Sequence, residues 1–128
     1  MEERYRQSLL YDFYGELLNE HQKAVFSAAI FDDMSYSELA EEFGCSRQAA
    51  FDLVRRINSK LESYETKLGL VSRFSSAREK NKEVEEKLSE ICESLEEIDK
   101  EINKDFKKKI NYKLDELKKL SNEVFEKF

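Results

Sequence analysis

The chain has 128 residues with no proline and only three glycines, so the residues that most often interrupt helices are nearly absent and an all-α class is predicted. Charged residues make up 39% and hydrophobic residues 40%, too much apolar material for a disordered chain and too much charge for one compact globule throughout. The net charge of −6 argues against a protein that holds nucleic acid by bulk electrostatics, and any such face must be local.

In chain order, Leu9, Leu10, Phe13, Tyr14, Leu17 and Leu18 recur at helical spacing and predict an amphipathic helix from Tyr5 to Leu18. Asn19 followed three residues later by Gln22 is a capping box, opening a second helix to about Phe31 with Val25, Phe26, Ala29 and Ile30 inward. Ser35 and Glu38 form another capping box before a short helix carrying Leu39, Ala40 and Phe43. Gly44 is suited to the left-handed close of that helix, and Ser46 to the N-cap of the next. Two helices joined by about three residues have the spacing of a helix-turn-helix. The helix after Ser46 keeps Ala50, Leu53, Val54, Ile57, Leu61, Tyr64 and Leu68 on one face until Gly69 supplies a C-cap.

From Arg78 the texture changes to charged residues with sparse apolar ones. Val84, Leu88, Ile91, Leu95, Ile98 and Ile102 alternate steps of four and three, a heptad seam. Beyond Asn103 the apolar positions become Phe106, Ile110, Leu114, Leu117, Leu120 and Val124, so the strict repeat slips. Either one helix of more than forty residues passes through a stutter, or the chain folds back near Asn103 into a hairpin. With neither Gly nor Pro there to turn the chain, the continuous helix is the expectation.

The exposed face of the helix opened by Ser46 carries the candidate nucleic-acid-binding residues: Ser46, Arg47, Gln48, Phe51, Asp52, Arg55, Arg56 and Lys60. Arg47 and Gln48 suit bidentate contacts to base edges, and Arg55, Arg56 and Lys60 suit phosphates. The stretch holds four basic residues against the single acid Asp52, a basic face on an acidic chain. His21 stands alone, Cys45 and Cys92 form no CxxC pair and read as reduced thiols, and paired acids such as Glu85-Glu86 and Glu96-Glu97 lie on charged helix faces. Neither catalysis, nor a metal, nor a cofactor is expected. No signal peptide and no apolar run of about 20 residues is seen, so the expectation is a cytoplasmic protein without membrane insertion.

The stretches Leu10-Tyr11-Asp12-Phe13-Tyr14-Gly15-Glu16-Leu17-Leu18, Leu39-Ala40-Glu41-Glu42-Phe43-Gly44, Ser46-Arg47-Gln48-Ala49 and Leu61-Glu62-Ser63-Tyr64-Glu65-Thr66-Lys67-Leu68 keep the order and spacing of a known pattern. They resemble the YlxM family of small bacterial helix-turn-helix proteins over about the first seventy residues, a segment also similar to the promoter-reading last domain of sigma factors. The resemblance implies an accessory or regulatory role in the signal recognition particle pathway, with the particle's GTPase Ffh and its receptor FtsY as partners. Ala50 and Phe51 depart from the branched aliphatic and tyrosine expected of the pattern, which loosens the groove-facing surface.

The expected architecture is a four-helix N-terminal domain over residues 1–70, with a helix-turn-helix and no wing. A charged, heptad-patterned helical extension follows over 71–128. Two functions compete. In the first, the helix-turn-helix binds DNA or RNA, a choice the residues leave open. In the second, it is a scaffold, and the protein is an adaptor acting through the coiled coil as a homodimer or on a partner helix.

Overall fold

The computed structural model describes residues 2–97 and 104–126, and among these every regular element is helical. In order they are α1 (Glu3–Tyr14), a 3₁₀ turn (Gly15–Leu17), α2 (Glu20–Ile30), α3 (Tyr36–Phe43), α4 (Arg47–Leu68), α5 (Leu70–Glu97) and α6 (Lys104–Glu126). The chain divides into two units, Met1–Arg73 and Phe74–Phe128.

The caps expected from sequence are formed in the first unit. Asn19 and Gln22 complete a reciprocal capping box at α2, and Ser35 and Glu38 do the same at α3. Gly44 closes α3 in the left-handed conformation at φ 67°, and Gly69 closes α4 at φ 64°. The first helix is shorter than its apolar spacing predicts. It ends at Tyr14 and the 3₁₀ turn rotates the next residues out of register, so Leu18 is buried but Leu17 is 54% exposed. Leu68, at the end of its stripe beside Gly69, is also exposed.

α3 packs most closely on α4, α1 crosses α4, and α2 touches both α3 and α4. Leu10, Tyr14, Val25, Phe26, Leu39, Ile57 and Leu61 are fully buried between them. Tyr11 stacks on Phe26 with centroids 5.9 Å apart and meets Phe31 edge-on, tying α1 to α2. His21 is a first-turn residue of α2 and lies edge-on to Phe43.

Glu65 is the one buried charged side chain among the described residues. Gly69 separates α4 from α5 and has no side chain with which to cap the new helix, so the first amides of α5 need another acceptor. The Glu65 carboxylate accepts from Val71 N at 2.9 Å and Ser72 N at 3.1 Å, and from the Tyr14 hydroxyl at 2.6 Å. The same Tyr14 oxygen accepts from Leu70 N. Burial alone raises the Glu65 pKa, but these donors outweigh it and hold the carboxyl below its ordinary value, while burial and Glu65 together push the Tyr14 hydroxyl up. One carboxylate thus replaces an N-cap and pins α1 to the α4–α5 corner. Nearby, Arg6 binds Glu62 with two bonds of 2.8 and 2.7 Å.

The second unit corrects the continuous-helix expectation. Asn81 of α5 hydrogen-bonds Ser121 of α6, and the Phe74 and Phe125 rings meet edge-on at 6.1 Å. In one straight helix, forty residues would separate such partners by on the order of 60 Å. The two helices therefore run antiparallel as a hairpin, the register set by Asn81 and Ser121 bringing Leu88 opposite Leu114, the pair most buried in this unit. The corner expected near Asn103, and the seam positions Ile98 and Ile102, lie outside the described residues. In this arrangement each arm gains a partner for one apolar stripe, which a straight helix leaves in water.

Candidate nucleic-acid interface

The helix-turn-helix consists of α3, the turn Gly44-Cys45-Ser46, and α4. Ser46 caps α4 by accepting from Ala49 N at 3.1 Å, which fixes where the helix starts and hence the rotation of every side chain after it. Ala50, Val54, Ile57 and Leu61 point into the core. At about 100° per residue, Gln48, Asp52, Arg55 and Ser59 fall along the opposite, outer line. Arg47 sits on one flank of that line and Arg56 and Lys60 on the other, about half a turn apart around the axis.

Of the eight predicted residues, Ser46 is the N-cap and the other seven lie outside the inward stripe; all are exposed except Lys60, which is half-buried. They are not equally available. The Ser46 hydroxyl is committed to the cap, the Gln48 amide donates to Asp52 at 3.2 Å, and the Phe51 ring meets Tyr36 edge-on at 5.2 Å. That bond commits one Gln48 amide hydrogen to Asp52 one turn away and leaves the second N–H and the carbonyl oxygen for a base edge.

The cations differ. Among the described residues, Arg47, Arg55, Arg56 and Lys60 make no ion pair, whereas Arg4 pairs with Asp33, Arg6 with Glu62, and Lys23 with Glu16 and Glu20. The first unit thus neutralises its cations on α1 and α2 and leaves those of α4 open. Two shallow concavities divide the arc: Tyr36, Arg47, Gln48 and Phe51 line one, and Asp52, Arg55, Arg56 and Ser59 line the other.

Tyr36 and Ser59 belong to this surface and were missed in the sequence. Tyr36 opens α3, and only the packing of α3 on α4 brings it to Phe51. Ser59 was legible, being one turn beyond Arg55 and Arg56, but its small side chain carries no signal of its own. Among the described residues no cluster of His, Cys, Asp and Glu is arranged to hold a metal ion, and no helix is long and apolar enough to cross a membrane.

A family profile described as "Putative helix-turn-helix protein, YlxM / p13 like" matches residues 1–104, from the first unit through α5 to the first residue of α6. A UPF0122 protein of Bacillus velezensis is 40% identical over 108 residues, covering 77% of this chain and 98% of that protein. YlxM of Bacillus subtilis is 39% identical over 108 residues with the same coverage. A UPF0122 protein of Listeria welshimeri is 44% identical over 84 residues, 66% of this chain and 76% of that one. With its helix-turn-helix geometry and matches of this extent, the chain belongs to the UPF0122 family of YlxM- and p13-like helix-turn-helix proteins.

Proposed function

We propose that the protein binds nucleic acid through the outer face of α4, as a binding protein rather than a catalyst. The observation that carries this reading is the set of four cations, Arg47, Arg55, Arg56 and Lys60, without ion-pair partners on the exposed arc of a helix-turn-helix. Leaving cations unpaired on an acidic protein stores attraction for an anionic surface. Cations on both flanks of one helix suit a groove, whose two walls are phosphate backbones. Arg47 at the start of α4 is the base reader; Arg55, Arg56 and Lys60 are the phosphate contacts.

The test is a mobility shift with DNA duplexes and structured RNA across a salt series. Arg55→Ala with Arg56→Ala weakens binding to every sequence and flattens its salt dependence, whereas Arg47→Ala costs about 1–3 kcal/mol at a preferred site and little elsewhere. Binding unchanged in both variants, with both folded, overturns the reading. The place of this activity is proposed to be the cytosolic signal recognition particle pathway, on the strength of the family resemblance, with Ffh and FtsY as protein partners. Co-purification of either that survives nuclease treatment assigns the pathway contact to protein; its loss on treatment assigns it to RNA.

A further inference from the structure

The hairpin satisfies only part of the apolar surface of its two helices. On α5, Leu88 turns inward to α6, but Val84 and Ile91 of the same heptad pattern remain 48% and 47% exposed. On α6, Leu114 turns inward, while Phe106, Leu117, Leu120 and Val124 are between 52% and 59% exposed. At about 100° per residue, Val84 and Ile91 lie about 40–60° from Leu88 around α5, and in the same rotational sense Leu117, Phe106 and Val124 lie about 60–80° from Leu114 around α6, with Leu120 about 120° from it. Because the helices are antiparallel, equal offsets in one sense fall on the same side of the hairpin. The six side chains form one strip of several hundred Å², a size that marks an interaction surface.

We propose that this strip is a self-association surface: a second copy of the chain packs on it about a two-fold axis parallel to the helices, making an antiparallel four-helix bundle. Charge complementarity selects a second copy. Lys80 and Lys87 border the strip on α5 and are one heptad apart; Glu116 and Glu123 border it on α6 and are also one heptad apart. The register set by Asn81 and Ser121 makes Lys80 level with Glu123, and Lys87 level with Glu116, to within a residue. Within one hairpin these lysines and acids occupy opposite outer edges. The two-fold lays α5 over α6 of the second copy, and all four pairs close at once while Val84 meets the larger Leu117 and Leu120.

In the single chain, Lys80 and Lys87 make only exposed contacts one turn along to Glu83 and Glu90, at 3.6 and 3.3 Å, which are weak and free to exchange. Glu116 and Glu123 have no ion pair among the described residues. An unrelated helix would not repeat the matched spacing on both edges.

Sedimentation equilibrium of the full chain without nucleic acid tests the proposal, so its outcome is independent of the α4 reading. Wild type is expected to be a dimer. Lys80→Glu with Lys87→Glu is expected to weaken association about tenfold or more, and adding Glu116→Lys with Glu123→Lys to restore it. These are exposed positions that leave the inward stripe intact, and helix content by circular dichroism checks this. Leu117→Glu with Leu120→Glu is expected to yield monomer. A monomeric wild type at high micromolar concentration overturns the proposal, as does a lysine-to-glutamate variant that associates like wild type or is not restored by the reciprocal change.

Discussion

The two units are built from the same amphipathic helices yet bury them to different degrees. In the first, α4 meets α1, α2 and α3, and Leu10, Phe26, Leu39, Ile57 and Leu61 lose essentially all contact with water. In the second, the α5–α6 pair buries none of that unit's described side chains completely, and even Leu88 and Leu114 keep 9% and 7% exposure. A helix with a broad apolar face needs neighbours on more than one side, and a two-helix layer supplies one. The difference teaches that apolar periodicity reports how much surface a helix offers, not how much its fold covers.

Core truncation is the strongest way to break this comparison. Leu61→Ala should cost about 3–5 kcal/mol because its site is closed on every side, while Leu88→Ala should cost nearer 2 kcal/mol, in a site open to solvent along one edge. Chemical denaturation followed by hydrogen exchange distinguishes the two sites, and equal losses would show the hairpin core to be as closed as the first unit.

The Glu65 corner gives the next effect. Glu65→Gln puts an amide group where a carboxylate oxygen faced an amide donor, at an expected cost of about 1–3 kcal/mol. Because the Glu65 carboxyl lies below its unfolded value, its stabilisation is complete above that value, about 4.5, and disappears as pH falls through the lower folded value. Glu62, lowered first by its bond to Arg6, acts in the same direction. The variant should therefore lose less stability than wild type on acidification below about pH 4.5. A parallel loss in both would remove Glu65 from the account.

Gly44 sharpens the comparison at smaller scale. An added methyl meets nothing within 4 Å, so Gly44→Ala measures the left-handed backbone alone and should cost about 1–2 kcal/mol in thermal melts. Arg6→Ala, removing a half-exposed pair, should cost under about 1 kcal/mol. A larger loss would make the Arg6–Glu62 bond a main tie between α1 and α4.

Much of the first unit was legible because its signals are local. The capping boxes at Asn19 and Ser35, the N-cap at Ser46 and the left-handed glycines each act within a few residues, and each formed as expected. The outer face of α4 was legible for the same reason, since Ser46 sets the rotation and the inward stripe leaves the rest outside. Which members of that face stay available was not legible: the Gln48–Asp52 bond and the Tyr36–Phe51 contact depend on rotamers and on the seat of α3. The role of Glu65 was hidden as well, as a Glu among many on a charged helix, singled out only when Tyr14 and the start of α5 converge on it.

By itself the sequence determined the helical class, the position of each cap in the first unit, and the placement of the α4 basic residues outside its inward stripe, because all three follow from interactions spanning a turn or two of chain. Tertiary structure alone decided that α5 and α6 fold back on each other, that Leu88 turns inward while Val84 and Ile91 do not, and that the cations of α1 and α2 are neutralised while those of α4 stay open. Those outcomes depend on which distant segments share a face, and a heptad pattern is satisfied equally by a partner within the chain or outside it.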